Sequence, residues 1–320
     1  MRLIHGLFLA GILLFSGTSH AVICSVSNVT AVNFGAINPL ATATPMAAMT
    51  FSYTCTKELG EVLGGVTLCF NIGNSAGSGQ VATRAMTSAG PPASTLNYLL
   101  YQDEGRTILW GNQTQNVPMV KLSLLNLTTV TGNLTLYGKL TTPQTGAVPG
   151  IFQDSYTAAT AVVTRNTSLV VPPSTCGTAT ATTFPFTVTA TAVKQCNIRY
   201  ANNINVGLVN ANQTGVSGSN LVGIACSSNT PYTIGLSPSN SNTAGSGALK
   251  GTRVGNTDTI PYQLRSTAGA AGLVWGNTAQ NKVAGTGTGS IVAHTVYVTF
   301  PSVNYIPDSY TDTVTINVTY

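Results

Sequence analysis

The chain repeats one set of landmarks in the same order, and this internal repeat limits its possible folds more than any other feature. Cys24 and Cys55 of the first copy correspond to Cys196 and Cys226 of the second. A Trp-Gly step and an Asp-Ser-Tyr-Thr stretch follow in both copies. The offset between copies shrinks from 172 residues at the first cysteine to 154 at the tyrosine. The sequence therefore predicts two domains of one fold, with longer loops in the first.

The local pattern of both copies is typical of β-strands. Short runs alternate between apolar and polar residues, and Thr and Val, which favour strands, dominate them. Residues 156–164 are predicted to form one such strand. Gly, Ser, Asn and Pro separate the runs, and no stretch shows a 3.6-residue period. We therefore predict an all-β protein with two tandem immunoglobulin-like β-sandwich domains, the second lacking its final strand.

The first residues have the features of a secretory signal. Arg2 supplies the positive start, residues 7–15 form a short apolar run, and residues 19–21 match a cleavage site. The predicted organisation is a signal peptide at 1–21, an N-terminal domain at 22–182, a linker or internal donor-like strand at 183–195 that completes the first domain, and a C-terminal domain at 196–320.

Six cysteines behind a secretion signal predict disulfides. Cys24 with Cys55 and Cys196 with Cys226 occupy equivalent places, 31 and 30 residues apart. The remaining two, Cys69 and Cys176, have no counterparts in the second copy and are expected to pair. A metal site is the competing interpretation, but the spacings are not paired C-x-x-C motifs, and only one histidine follows the predicted cleavage site. We expect no metal and no cofactor.

The residues that could support catalysis are few. Charged residues make up only 7% of the chain, whereas glycosidase chemistry needs two carboxylates flanking one cleft. Glu58 with Glu61 and Asp103 with Glu104 lie in polar, loop-like stretches. His294 stands in an alternating strand without a nucleophile motif. We predict that the chain is not an enzyme, and its scattered positive charge predicts no nucleic-acid partner.

Two residue types recur at equivalent positions of both copies. Trp110 and Trp275 each precede Gly, and Asp154 and Asp308 each precede Ser-Tyr. A sugar-binding platform is the alternative for the tryptophans. Since only one copy should bind a target, the recurrence favours buried core aromatics and structural turn residues.

One segment breaks the symmetry between the copies. Residues 184–193 alternate regularly just before the second copy, and nothing similar precedes the first. A plain linker is the alternative, but linkers are usually polar or rich in Pro and Gly. We predict an internal donor strand in the groove of the first domain, with five inward side chains: Phe184, Phe186, Val188, Ala190 and Ala192.

The second copy has no such segment after it. It ends on the alternating run 313–320, so we expect its sandwich to lack a strand. Only Val22 and Ile23 precede Cys24 after the predicted cleavage, so we expect the chain to accept a strand but not to donate one. An unpaired strand edge beside an apolar groove invites an added strand from another chain.

These motifs resemble the spore coat protein U domain family, whose members include subunits of archaic, Csu-type chaperone–usher pili. The likeness rests on the early Cys, the Val/Phe-Gly step, the second Cys, the Trp-Gly element and the ending 307–315. In that family the two-domain member is the tip adhesin. The resemblance implies a C-terminal pilin domain that accepts a donor strand and an N-terminal domain that binds surfaces.

The resemblance also implies partners and a location. They are a periplasmic pilus chaperone, an outer-membrane usher, an adjacent single-domain pilin subunit, and a hydrophobic, abiotic or host surface. The chain would pass through the periplasm to the pilus tip at the cell surface and mediate biofilm formation. A secreted structural coat or matrix protein of the same family is the alternative.

Apolar loops of the first copy are the candidate surface-binding residues. After the first strand, residues 37–49 are apolar where the second copy has the polar stretch 210–215. Two further loops, at 89–93 and 146–152, are also apolar, and exposed apolar patches mark interaction sites. The predicted surface-binding residues are Leu40, Pro45, Met46, Met49, Pro91, Pro92, Val148, Pro149, Ile151 and Phe152.

Overall fold

The structure, a computed structural model, describes residues 22–59, 61–75, 77, 81–112, 116–125 and 128–320. The predicted signal peptide lies outside these residues. The described residues form strands, turns and irregular segments without any α-helix, and therefore include no helix that could cross a membrane.

The described residues of the first domain form twelve strands. They are β1 (Val22–Ser27), β2 (Val32–Ile37), β3 (Met46–Lys57), β4 (Gly65–Ile72), β5 (Arg84–Ser88), β6 (Thr95–Tyr101), β7 (Met119–Ser123), β8 (Thr129–Leu140), β9 (Gly150–Tyr156), β10 (Ala161–Ser168), β11 (Ala179–Thr183) and β12 (Phe186–Ala192). Eight form one sheet in the order β1-β3-β8-β6-β5-β9-β12-β2, and four form a second in the order β11-β10-β4-β7.

Strands β3 and β8 run the length of this domain. They pair antiparallel from Met46 opposite Lys139 to Thr56 opposite Thr129. Eleven steps of about 3.3 Å from the first to the last residue of each strand span roughly 36 Å between the two ends. The loops at these ends are therefore well separated, and this distance matters for the location of any binding site.

Strand β12 fills a position inside the larger sheet. It runs antiparallel to β9, with Phe186 opposite Tyr156 and Ala192 opposite Gly150, and parallel to β2. The five side chains predicted to face inward are all buried in the core. Phe184 stacks on Phe51, with ring centroids 5.3 Å apart, and Phe186 stacks on Tyr156 at 4.6 Å. The alternation thus gives a strand whose apolar face completes the core.

The second domain contains nine strands. They are β13 (Cys196–Ala201), β14 (Ser217–Cys226), β15 (Pro231–Pro238), β16 (Ser246–Gly251), β17 (Thr259–Arg265), β18 (Val283–Thr286), β19 (Ile291–Thr299), β20 (Tyr310–Thr311) and β21 (Val314–Thr319). Six form the sheet β13-β14-β19-β17-β16-β20, and three form the sheet β18-β15-β21. A separate hydrophobic core lies between them.

The second domain has an open position where the first has β12. Residues 202–210, the counterpart of β2, form no strand, and β20, the counterpart of β9, has only two residues. No strand of the described chain lies between these segments. Apolar side chains of residues 202–210 and of the stretch 303–310, which leads into β20, pack on the core yet stay half-buried: Ile204, Val206, Val209, Val303, Tyr305 and Tyr310.

Three disulfides lie within the domains, two in the first and one in the second. They connect Cys24 with Cys55, Cys69 with Cys176 and Cys196 with Cys226, which are the pairs expected from the repeat. The first and third link the opening strand of each domain to its neighbour. The second ties β4 to the irregular segment between β10 and β11.

One sequence expectation about strands is wrong. The run 156–164 reads as one strand, but β9 ends at Tyr156, and β10 begins at Ala161 in the other sheet. Between them, the Thr160 hydroxyl accepts a hydrogen bond from the Thr157 N–H at 2.9 Å. Thr is common in strands and in such turns, so composition alone did not show the break.

Candidate functional site

The predicted surface-binding loops of the first domain lie at one end of it. The Leu140 N–H donates to the Pro45 carbonyl at 3.0 Å, and the Val148 N–H donates to Ser94 Oγ at 3.2 Å. These bonds bring the loops 38–45, 89–94 and 141–149 together. We call this set the junction loops, because the chain leaves the first domain beside them.

The link to the second domain starts at this end. The Val193 N–H, just after β12, donates to the Ile37 carbonyl at 3.0 Å. Gly289 of the second domain packs so closely on the Thr145 carbonyl that a Cβ there would clash. Thr145 of the junction loops therefore contacts the second domain, and this end of the first domain faces its neighbour.

Four of the predicted surface-binding residues are buried, and this part of the prediction is wrong. Met49 and Phe152 point inward from β3 and β9, as alternation in a strand requires. Leu40 is folded inward by a turn in which its N–H bonds to Asn38 Oδ1 at 2.9 Å, and Val148 packs on the same core. A side chain inside the core cannot meet a surface.

The other six predicted residues remain accessible. Met46, Ile151, Pro91 and Pro92 are exposed, and Pro45 and Pro149 are half-buried. They stay a prediction, although their position beside the second domain makes them poor candidates for meeting an external surface.

A second apolar surface lies at the opposite end of the first domain. Leu59 is 97% exposed and Val62 77% exposed in the loop between β3 and β4. Leu125 follows β7, and three more apolar residues follow β10, all of them exposed. We define the tip patch by its residues Leu59, Val62, Leu125, Leu169, Val170 and Val171.

Backbone contacts at one glycine hold these loops together. The Gly64 N–H donates to the Ser168 carbonyl at 3.0 Å, and the Gly64 carbonyl accepts from the Leu124 N–H at 2.9 Å. A Cβ at Gly64 would clash with the carbonyl groups of Leu169 and Val170. Only glycine allows this approach, so the three loops form one surface.

Charged groups lie beside the apolar residues of the tip patch. Lys57 donates from Nζ to the Leu124 carbonyl at 2.8 Å. Glu58 and Glu61 lie half-buried in the same loop as Leu59 and Val62. An apolar patch with a polar rim is the arrangement of an interaction surface.

The tip patch is not among the residues predicted from the sequence, because the comparison of the two copies rested on one pair of loops, residues 37–49 and 210–215. A usable signal was present at Leu169, Val170 and Val171, which directly precede two prolines. Proline removes a donor from the sheet, so two consecutive prolines argue against the continuation of this apolar run as a buried central strand and favour a loop.

A buried polar cluster surrounds the repeated residue Asp154 of the first domain. Tyr98 donates to Asp154 Oδ2 at 2.6 Å, and the hydroxyls of Tyr98 and Tyr156 lie 2.9 Å apart. Burial raises the pKa of Tyr156 to about 12 and raises that of Tyr98 further. Burial lowers the pKa of Arg84, whose guanidinium donates to the Ile72 and Trp110 carbonyls, each at 3.1 Å. All four side chains are inside the core, which fits a structural role.

The remaining candidates also have structural partners. Trp110 and Trp275 are buried, and their Nε1–H groups donate to the Phe70 and Ile234 carbonyls at 2.7 and 2.9 Å. His294 Nε2 lies 2.8 Å from the Tyr232 hydroxyl, and Asp103 accepts N–H bonds from its own loop. Across the described residues, no three His, Cys, Asp or Glu side chains group as metal ligands would.

Comparisons with known proteins agree with this architecture. The family model of the Spore Coat Protein U domain matches residues 14–159 and 182–317. No curated protein matches the sequence. Among solved structures, the chain is similar to one from the CsuC–CsuE chaperone–tip adhesion subunit pre-assembly complex of the archaic chaperone–usher Csu pili of Acinetobacter baumannii. The TM-score is 0.53 at 17% identity, over 92% of this chain and 100% of that one.

A second solved structure is more distant. It is CfaE, the adhesive subunit of CFA/I fimbria of enterotoxigenic Escherichia coli, with a TM-score of 0.39 and 11% identity. The match covers 92% of this chain and 93% of that one. The likeness to the Csu protein supports the two-domain fold, and the second is too weak to carry an argument.

Proposed function

The chain belongs to the Spore Coat Protein U domain family, and we propose that it is the tip adhesin of an archaic chaperone–usher pilus. In this proposal the second domain joins the chain to the fibre, and the first domain attaches the fibre to a surface and supports biofilm formation. The single observation that carries it is the contrast between a first domain completed by β12 and a second domain with an open position.

The open position supports the acceptor role. In the first domain, β12 pairs with β9 on one side and β2 on the other. In the second domain, the counterparts of these strands have no strand between them in the described chain and leave apolar side chains half-buried. A strand from another chain would supply backbone hydrogen bonds along both edges and cover those side chains.

The same site suits two partners in succession. A periplasmic chaperone would fill the open position before assembly, and an adjacent single-domain pilin subunit would fill it in the fibre, after passage through an outer-membrane usher. The CsuC–CsuE complex is itself described as a chaperone–tip adhesion subunit pre-assembly complex, which supports the chaperone step by analogy. A self-sufficient coat or matrix protein would not need an open position.

The tip patch supports the attachment role. It lies at the end of the first domain opposite the link to the second, and so at the outer end of a fibre. Removing apolar area from water contributes about 25 cal/mol per Å² before ordering costs. Six exposed apolar residues need no precise polar partner, so the favoured targets are hydrophobic surfaces, abiotic ones included.

The test compares the two apolar ends of the first domain. Replacing Leu169, Val170 and Val171 with Ser should reduce adhesion of piliated cells to polystyrene several-fold. The matched control replaces Met46 and Ile151, the exposed apolar residues of the junction end, with Ser and should leave adhesion unchanged. Counting pili by electron microscopy separates attachment from assembly.

The alternatives have distinct outcomes. Loss of adhesion in the control variant alone would move the binding surface to the junction loops. Normal adhesion in both variants, with normal pilus numbers, would remove the proposed attachment mechanism.

A further inference from the structure

We infer that residues 172–177, here called the strap, fix the position of the tip patch, and that the Cys69–Cys176 disulfide is the bond that holds the strap in place. This inference rests on the proposed attachment function. It gives the bond without a counterpart in the second copy a role in surface binding, separate from the stability of the fold.

The strap lies along the outer face of β4. Cys69, in the middle of β4, is fully buried and carries the disulfide to Cys176. Two residues before Cys69 along β4, Thr67 Oγ1 donates to the Pro173 carbonyl at 2.5 Å. From β10, Asn166 Nδ2 donates to the Thr175 carbonyl at 3.1 Å.

The strap begins where the tip patch ends. Leu169, Val170 and Val171 connect β10 to Pro172, and Gly65 packs on Pro172 so closely that a Cβ there would clash. The three apolar side chains are each more than 60% exposed. Because they pack on few other residues, their own contacts do little to fix their position.

Few backbone bonds hold this region. Among the described residues, 169–176 form no backbone-to-backbone hydrogen bond. Pro173 and Thr175 of the strap accept hydrogen bonds from the side chains of Thr67 and Asn166, and the Val170 N–H donates to Ser168 Oγ at 3.4 Å. A segment with so few backbone bonds opens locally at low free-energy cost. The covalent link at Cys176 is therefore the contact that limits its movement.

The second copy supplies a natural comparison. The two buried tryptophans bond to equivalent carbonyls, those of Phe70 and Ile234, which aligns Cys69 with Thr233. The counterparts of the β3–β4 and β7–β8 loops are short and polar there, at 227–230 and 287–290. The extra disulfide thus occurs in the one copy that carries long apolar loops at this end.

The main experiment uses the double variant Cys69→Ala/Cys176→Ala in the full chain, assembled into pili. Adhesion to polystyrene should fall several-fold while pilus numbers stay normal. Hydrogen exchange should become faster at residues 169–177, whereas the amides of β3, β8 and β12 should keep their protection. A bond that only stabilised the fold would instead raise exchange across the whole domain.

A second measurement covers the case in which the double variant fails to fold. Wild-type pili, already assembled, are treated with a phosphine reductant, and alkylation of Cys176 is followed by mass spectrometry. Adhesion should fall in step with Cys176 alkylation while the fibres stay intact. Unchanged adhesion on pili with fully alkylated Cys176 would overturn the inference.

The Ser variants of Leu169, Val170 and Val171 separate this inference from the proposed function. If they adhere normally, the attachment surface itself is wrongly placed. If they lose adhesion while the disulfide variant keeps it, the tip patch stands, and the role of the strap is rejected.

Discussion

Tyr156 and Tyr310 occupy the same step of the repeated Asp-Ser-Tyr-Thr stretch, yet they have different surroundings. Tyr156 is 2% exposed and stacks on Phe186 of β12. Tyr310 is half-buried and faces the open position of the second domain. The two copies share a framework and differ in one strand, so the contrast isolates what that strand contributes.

The counterparts of β2 show the effect on the backbone. In both copies an Asn side chain accepts from the glycine N–H two residues on, Asn33 to Gly35 and Asn205 to Gly207, each at 2.8 Å. Only the first copy forms a strand there, and β12 is its parallel partner. A sequence capable of pairing becomes a strand only when a partner satisfies its backbone groups.

The repeated aspartates Asp154 and Asp308 also differ in burial and in hydrogen-bond partners. Asp154 is buried and accepts from the Tyr98 hydroxyl and the Gly77 N–H. Asp308 accepts from the Arg253 N–H and the Asn256 side chain, and these bonds hold its pKa at about 2. In the second copy, Tyr262, the counterpart of Tyr98, donates to Asp312 instead. Identical motifs therefore serve a closed core in one domain and an open edge in the other.

The largest expected effect comes from weakening β12 in the first domain. Phe184→Ala removes a fully buried ring that stacks on Phe51 and should cost about 3–5 kcal/mol of unfolding free energy. Phe184 lies two residues before β12, on the inward face of the alternating run 184–193, and Thr191→Ala, on the exposed side of β12, is the matched control. Calorimetry of the full chain should show the first-domain transition moving down in the Phe184 variant alone. Equal shifts in both variants would show that β12 is not a core strand.

Supplying the missing strand as a peptide should stabilise the second domain. A peptide with the sequence of residues 184–193, added at 100 times its Kd, should stabilise that domain by about 2.7 kcal/mol. The control peptide carries Ser at the positions of Phe186, Val188 and Ala190, which removes the apolar face that the open position is expected to bind. If neither peptide changed the melting temperature of the second domain, this result would contradict the acceptor role.

The tryptophans should behave alike in both copies. Trp110→Phe and Trp275→Phe each leave one buried carbonyl without its donor, at a cost of about 1–3 kcal/mol. Both variants should keep adhesion once assembled. Loss of binding in the Trp110 variant alone, with the fold intact, would instead indicate a specific glycan pocket.

The smallest expected effect is a pH dependence confined to the second domain. Burial lowers the pKa of His294 from its ordinary 6.5, so the unfolded chain takes up the proton first as pH falls. The free energy of unfolding should therefore decrease below pH 6.5, until the folded-state pKa is passed. Thermal unfolding from pH 7.5 to 5 checks this, and His294→Gln should flatten the slope. The first domain has no described His and should show no such slope.

The sequence predicts the fold better than the site. Repeated cysteines and alternating strands follow from periodicity and spacing, which one sequence displays directly. The boundaries around β12 at 183 and 195 stay a prediction. Met49 and Ile151 show why the site was harder, since one is buried and the other exposed although both are apolar.

Burial depends on partners that come from distant parts of the chain. Leu40 and Val148 of the junction loops are apolar because they are buried in the first domain. The apolar residues of the tip patch have no such partners in the described chain. This difference between the two sets of loops becomes visible only in the three-dimensional structure, which shows at which end of the domain each loop lies. Spacing in sequence does not show which end of a sandwich a loop occupies.

The position of β12 also determines how the first domain experiences tension. Residues 193–195 lead from this strand directly into β13, so a pull on the second domain enters the first at Ala192. The tip patch lies at the other end, and the force between them runs along β12. Its hydrogen bonds to β9 lie across that direction. They are loaded in shear and have to yield together, whereas bonds pulled along their own axis would open one after another.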